Sequence, residues 1–140
     1  MSFKNILCFG TLNPDLIYFV DELPNKGDDI RSLNSSIRPG GTAINCSELI
    51  SLWDKSVHVR GNSIGSDPMG KYLVDYLKEN NINFDGLIIN QSLTPTCSIF
   101  VDSSGERTIV SSGYEGLEWS NFENLNNFDS LIIDLSLIHI

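Results

Sequence analysis

The 140-residue chain has 41% hydrophobic residues, enough to build the core of one ordinary domain. Eighteen acidic residues against nine basic ones give a formal net charge of −9, and the absence of a basic cluster argues against a nucleic-acid interface. Three widely spaced cysteines, without a CxxC pair and with two histidines, argue against a disulfide framework or a zinc site. Since no long apolar stretch opens the chain, we expect a cytoplasmic protein without a membrane segment.

Short apolar runs predict buried strands. Residues 6–9, Ile-Leu-Cys-Phe, end at Gly10 and have the unbroken apolar character of a strand covered on both faces of a parallel sheet. Val57 with Val59, residues 87–89 and residues 131–133 are further strand candidates.

Two segments with helical spacing lie between these runs. The first opens at Gly41, and its apolar positions are Ala43, Cys46, Ile50 and Trp53. In the second, Asp67 can cap the helix and Pro68 suits its first turn. The predicted buried positions of this helix are Met69, Leu73, Tyr76 and Leu77. Alternating strands and helices of this kind predict an α/β domain with a mainly parallel sheet.

Two stretches break that alternation. Residues 16–20 and 30–37 have strand character on either side of a Pro-Asn-Lys-Gly-Asp turn, which favours an antiparallel excursion. Residues 97–110 have the form of a hairpin, with Gly105 available for a turn position that needs a positive φ. Together they predict a small β-layer that projects from the α/β body.

The end of the first strand carries the first candidate binding residues. Neither a phosphate-binding loop ending in Gly-Lys-Ser/Thr nor a GxGxxG motif is present, so neither common nucleotide motif is encoded here. Asn13 and Asp15 instead follow the strand, where open α/β sheets bind ligands. An ionised Asp accepts hydrogen bonds from two hydroxyls, which suits a vicinal diol. The alternative is a plain Asn-Pro-Asp turn.

Residues 39–45, Pro-Gly-Gly-Thr-Ala-Ile-Asn, form a second candidate binding segment. Gly40 and Gly41 would let a ligand approach the backbone closely, and the first-turn amides of the helix would point free N–H groups at it. Asn45, one turn into the helix, can project to the same place. The alternative is a flexible loop that enters a helix.

Together these motifs resemble the ribokinase-like (PfkB) carbohydrate kinases. Residues 13–15 match the family's Asn-x-Asp, residues 39–45 its Pro-Gly-Gly-x-x-x-Asn, and residues 65–70 the segment before its next helix. Residues 100–109 resemble the family's lid hairpin, and the order agrees from about residue 6 to residue 110. The resemblance implies a ribokinase-like α/β fold, with a mainly parallel central sheet flanked by helices and a small β lid.

The resemblance also implies roles for the candidate residues. Asn13, Asp15 and Asn45 match ligands of sugar hydroxyls, while Gly40 and Gly41 match glycines that pack beneath the sugar. The lid, at about residues 15–38 and 96–111, would close over the sugar or nucleoside substrate and is a candidate homodimer contact. No catalytic and no metal-binding residue is assigned.

The family's catalytic Gly-Ala-Gly-Asp segment, its nucleotide pocket and its Asn-x-x-Glu magnesium motif belong to the C-terminal half, which has no counterpart in residues 1–140. ATP and Mg²⁺ are therefore implied for the full-length parent, while neither is expected to be bound fully by this chain. Residues 135–140 depart from the family pattern and are a candidate truncation or frameshift tail.

We therefore expect an N-terminal substrate-binding fragment of an ATP-dependent sugar or nucleoside kinase, inactive by itself. The alternatives are a non-catalytic polyol-binding module and a non-functional truncation product.

Overall fold

The computed structural model describes residues 4–53 and 55–134. Within these residues the chain forms nine strands, two α-helices and one 3-10 turn at Leu125–Asn127. The strands are β1 (Asn5–Gly10), β2 (Asn13–Phe19), β3 (Asn34–Gly40), β4 (Ser56–Gly61), β5 (Ile64–Gly65), β6 (Ile89–Asn90), β7 (Thr96–Val101), β8 (Arg107–Ser112) and β9 (Ser130–Ile133). The helices are α1 (Thr42–Ser51) and α2 (Pro68–Glu79). The predicted tail at residues 135–140 lies outside the described residues.

The central sheet contains three parallel strands in the order β4-β1-β9. Ile6 in the middle strand is aligned with Val57 on one side and with Ser130 on the other. Leu7 and Cys8 are 0% exposed, because neighbouring elements cover both faces of β1. The prediction of a parallel central sheet with β1 buried inside it is confirmed.

Both helices contribute to one core on the face of the central sheet that carries Cys8 and Val59. Its helical members are Ala43, Ile44, Ile50, Leu73 and Leu77. The prediction that Trp53 belongs to the buried stripe of α1 is wrong. Because the helix ends at Ser51, Trp53 lies beyond it and is 69% exposed. Met69 and Tyr76 are partly buried rather than fully buried.

The start of α2 has the cap predicted from Asp67. Its Oδ1 accepts hydrogen bonds from the Gly70 N–H (2.8 Å) and the Thr94 hydroxyl (2.7 Å), and its Oδ2 accepts one from the Thr94 N–H (2.8 Å). Partial desolvation disfavours the charged carboxylate, but the hydrogen bonds from Thr94 and Gly70 outweigh it and lower the pKa of Asp67. The cap thus joins the helix to the segment that leads into β7.

A second sheet, which we name the outer sheet, contains four strands in the order β3-β2-β7-β8. Strands β2 and β3 are antiparallel, β2 and β7 are parallel, and β7 and β8 form the predicted hairpin, with Gly105 at φ +87°. The predicted excursion and hairpin therefore belong to one sheet. The strand predicted to begin at residue 30 begins only at Asn34. The loop between β2 and β3 contains a turn in which the Asp28 N–H donates to the Asn25 carbonyl, and it continues beyond this turn up to β3.

The strand predicted at residues 87–89 is mostly wrong. Only Ile89–Asn90 is a strand, and it pairs in parallel with Ile64–Gly65 in a separate two-stranded sheet. Leu87 belongs to a turn instead, since its N–H donates to the Phe84 carbonyl.

The second face of the central sheet is covered by aromatic residues that follow the outer sheet in the sequence. Phe9 stacks on Phe122 with ring centroids 4.3 Å apart and lies 6.1 Å from Trp119. The apolar side chains of β9, which the sequence predicts to form a buried strand, are instead exposed at the edge of this sheet. No helix among the described residues combines the length and the apolar character needed to cross a bilayer.

The cap on α2 makes a prediction about stability. We expect Asp67→Ala to lower the free energy of unfolding at pH 7 by about 1–2 kcal/mol, because the substitution removes the side-chain cap. The pKa of Asp67 is depressed by folding, so its contribution is complete above the unfolded pKa of about 3.9 and is lost as the pH falls through the folded value. Urea melts at pH 7 and at pH 3 measure both effects.

Asp75→Ala is the matched control in the same helix. Asp75 makes an exposed ion pair with Lys71, which contributes about 0–1 kcal/mol. An Asp67→Ala variant as stable as the control at pH 7 would contradict the role of the cap.

Candidate binding site

The candidate site forms where β1 leads into β2. The Leu12 N–H donates to Asn62 Oδ1 (2.8 Å), and Asn62 Nδ2 donates back to the Leu12 carbonyl (3.0 Å). Asn62 follows β4 directly and is completely buried. Because both hydrogen bonds hold the residue before Asn13, the Asn62 side chain fixes the point at which β2 begins.

The start of α1 is bound to the same turn by Thr11. The Thr11 carbonyl accepts a hydrogen bond from the Ala43 N–H, and the Thr11 hydroxyl accepts one from the Thr42 N–H, both at 3.1 Å. The prediction of free first-turn amides is therefore wrong for residues 42 and 43. The Thr42 hydroxyl in turn donates to Asp134 Oδ2 (2.8 Å), beside the end of β9.

Asn13 and Asp15 are in direct contact. Asn13 is 2% exposed, and its Nδ2 donates to Asp15 Oδ1 (2.7 Å) and at longer range to the Pro14 carbonyl (3.4 Å). The side chain of Asn13 thus lies behind the carboxylate, and Asp15 presents the pair to the surface.

Gly40 and Gly41 allow two close approaches of the chain to itself. A Cβ on Gly40 would lie 2.3 Å from Asp15 Oδ2, and a Cβ on Gly41 would lie 2.2 Å from the Thr11 carbonyl oxygen. Gly41 also has φ +86°, a conformation that side-chain-bearing residues rarely adopt. Within the chain, the glycines therefore accommodate the Asp15 carboxylate and the turn after β1.

Asp15 and Asn45 line a cavity of about 470 Å³ between the outer sheet and helices α1 and α2. This volume is in the range of small-molecule sites. Ile17 and Ile99 contribute apolar surface, while Asn45 is exposed on α1. We expect Asn13, Asp15 and Asn45 around one concavity. Asp15 and Asn45 do line this cavity. Asn13 lies behind the lining and is connected to it by its hydrogen bond to Asp15.

The cavity contains charges of both signs. Arg38 and Arg107 line it together with the carboxylates of Asp15 and Glu48. Burial raises the pKa of Asp15, and the hydrogen bond from Asn13 opposes this effect. An ionised carboxylate held in this way can accept hydrogen bonds from two hydroxyl groups of a ligand.

Three residues at this site escape sequence reasoning. Arg38 is aligned with Asp15 across β2 and β3, so its place follows from a strand register that composition does not reveal. Arg107 is predicted only as part of the lid hairpin. Tyr114 donates a hydrogen bond from its hydroxyl to Asn13 Oδ1 (3.0 Å) across 101 positions of sequence, and no local pattern signals this contact.

The chain is similar to known sugar kinases over most of its length. It is 27% identical to a ribokinase from Dictyostelium discoideum over 136 residues, which covers 96% of this chain and 42% of the relative. It is 30% identical to ketohexokinase from Mus musculus over 112 residues, which covers 79% of this chain and 37% of that protein. The chain therefore spans less than half the length of either relative.

The fold is similar as well. The crystal structure of ribokinase from Cryptococcus neoformans in complex with ADP superimposes with a TM-score of 0.71 at 22% identity, covering 93% of this chain and 40% of that one. The ribokinase-like fold predicted from the sequence is thereby confirmed. The profile of the pfkB family carbohydrate kinases matches residues 4–139, and the chain belongs to that family.

Proposed function

We propose that this chain forms the substrate-binding part of an ATP-dependent kinase that phosphorylates a hydroxyl of a sugar or nucleoside. The observation that carries the proposal is the cavity that brings Asp15 of β2 and Asn45 of α1 together beneath the outer sheet. Membership of the carbohydrate kinase family supports the reaction class. Because the chain spans less than half of its relatives, the activity is proposed for the longer parent protein.

Each candidate residue has a distinct task in this proposal. The Asp15 carboxylate accepts hydrogen bonds from two sugar hydroxyls, and Asn45 offers a donor and an acceptor from α1. Asn13 holds the carboxylate from behind, while Gly40 leaves room for it against the backbone. In phosphoryl transfer, positioning and charge stabilisation supply most of the rate, so this half contributes the orientation of the attacking hydroxyl.

The outer sheet acts as the lid in this proposal. Its face with Ile17 and Ile99 lines the cavity, so closure of the sheet over a bound sugar would exclude water from the reacting groups. Ile109 and Val110 of β8 are exposed apolar residues, which suits the proposed homodimer contact through this sheet.

We propose a cytoplasmic location for the protein.

ATP and Mg²⁺ are proposed for the parent only. Among residues 4–53 and 55–134, no three His, Cys, Asp or Glu side chains are grouped to hold a metal ion. We assign no step to the metal in this half.

Sugar binding tests the proposal through Asp15. We expect the chain to bind at least one member of a panel of ribose, fructose and adenosine, and Asp15→Asn to weaken this binding about tenfold or more. The substitution keeps the shape of the side chain but removes a charged acceptor, whose hydrogen bonds contribute about 1.5–3 kcal/mol. NMR titration of the 140-residue chain measures the affinity.

Asp29→Asn is the control for this titration, since it makes the same change of charge at an exposed position in the loop before β3. A wild-type chain that binds no member of the panel, or an Asp15→Asn variant that binds like the control, would contradict the site.

Measurements of phosphoryl transfer test the proposal that catalysis belongs to the longer parent protein. We expect no sugar-dependent release of ADP from the 140-residue chain, because its sequence contains no identifiable base paired with a phosphate cradle. We expect turnover once the chain is extended by the C-terminal half of a relative. A coupled ADP assay on protein free of host kinases measures both, and sugar-dependent turnover by the short chain would refute the assignment.

A further inference from the structure

Tyr114 lies outside the motifs of the site and nevertheless ends a chain of hydrogen bonds that leads to Asp15. Its hydroxyl donates to Asn13 Oδ1 (3.0 Å), and Asn13 Nδ2 donates to Asp15 Oδ1 (2.7 Å). The side-chain amide of Asn13 therefore joins a phenol on one side to a carboxylate on the other.

The surroundings of Asn13 permit one orientation of this amide. Its nitrogen has two acceptors, the Asp15 carboxylate and the Pro14 carbonyl at 3.4 Å. Rotating the amide by 180° would place its oxygen against these two acceptors. Asn13 would then have no N–H to donate to an ionised Asp15, and the hydrogen bond between the two side chains would be lost. Tyr114 stabilises the observed orientation, because it supplies a donor at the position of the amide oxygen.

A backbone turn at Gly113 brings Tyr114 to this position. Tyr114 comes two residues after β8, and Gly113 between them has φ +77°. A Cβ on Gly113 would lie 3.1 Å from Pro95 Cα, so the chain turns closely past the start of β7. This turn directs the tyrosine under the outer sheet and toward β2.

Tyr114 also remains a neutral donor in these surroundings. Burial raises its pKa, and the nearby Cys97 adds to the effect, so the phenol keeps its proton at neutral pH. The Cys97 Sγ lies 3.7 Å from the phenol oxygen, and Cys97 is aligned with Asp15 across β7 and β2. The hydroxyl thus has a thiol beside its oxygen and the amide oxygen as its acceptor.

We propose that Tyr114 is a positioning residue, which fixes the amide of Asn13 and through it the Asp15 carboxylate that receives the substrate. The role of Asp15 in this inference rests on the proposed function. Because Tyr114 follows the last strand of the outer sheet, the same contact ties the position of the carboxylate to the edge of the proposed lid.

The test measures the titration of Asp15 and needs neither sugar nor ATP. In the 140-residue chain with ¹³C-labelled aspartate, we expect Tyr114→Phe to shift the Asp15 titration to higher pH. The phenyl ring preserves the packing, but the amide of Asn13 loses its fixed orientation and donates less to the carboxylate. Arg38, Glu48 and Arg107, which share the cavity with Asp15, are the same in both proteins and contribute to both titrations.

Two further variants separate positioning from general effects. Tyr18→Phe alters a tyrosine on the other face of the outer sheet, stacked on Phe100, and should leave the Asp15 titration unchanged. In an Asn13→Ala background, Tyr114→Phe should cause no further shift, because the connecting amide is absent. A shift that persists in this background, or no shift in the Tyr114→Phe single variant, would overturn the proposal.

The unaltered chain provides a second measurement should Tyr114→Phe fail to fold. A crystal structure with the Tyr114 hydroxyl more than about 3.5 Å from Asn13 Oδ1 would overturn the proposal, and a retained hydrogen bond would support it. If the Asp15 titration shifts as expected but no sugar binds, the positioning contact stands and the proposed function fails. If sugar binds but the titration does not shift, the proposed function stands and the positioning role of Tyr114 fails.

Discussion

The close approach of the Asp15 carboxylate to the backbone of Gly40 is the constraint on which the candidate site depends. Any side chain on Gly40 would collide with the carboxylate, and any side chain on Gly41 would collide with the Thr11 carbonyl. These two approaches place β2 against the end of β3 at the point where β3 passes into α1. The outer sheet, the first helix and the end of the central strand β1 therefore meet at one turn, beside the cavity that Asp15 and Asn45 both line.

Residues distant in the sequence hold this meeting point in place. Asn62, at the end of the neighbouring strand β4, fixes the backbone of Leu12. Tyr114, beyond the outer hairpin, binds the amide of Asn13, and Thr42 connects the start of α1 to Asp134. Asn62 and Asn13 are buried, and buried polar groups are costly when they lack partners, so their contacts restrict the arrangements that the site can adopt. The result is a carboxylate whose direction is set before a ligand arrives.

Much of this arrangement can be predicted from local sequence. The unbroken apolar run of β1, the Asp67 cap and the Gly105 hairpin each depend on a few neighbouring residues, and the structure contains all three. Prediction fails where tertiary packing decides. Trp53 continues the helical spacing but lies beyond the end of α1, and Thr11 accepts hydrogen bonds from amides that local sequence predicts to be free. Tyr114 and Arg38 escape prediction because their places depend on a turn and a strand register.

The sugar affinity of Gly40→Ala, compared with that of Gly105→Ala, tests the central claim most directly. Gly40 is the last residue of β3, whereas Gly105 lies in the turn between β7 and β8. A Cβ on Gly105 meets no atom within 4 Å and strains only its backbone. We predict that displacement of the Asp15 carboxylate lowers the affinity of Gly40→Ala for the sugar about tenfold or more, a loss of about 1.4 kcal/mol. Gly105→Ala should bind as the wild type does. Equal sugar affinity in wild type and Gly40→Ala, with both proteins folded, would contradict the account.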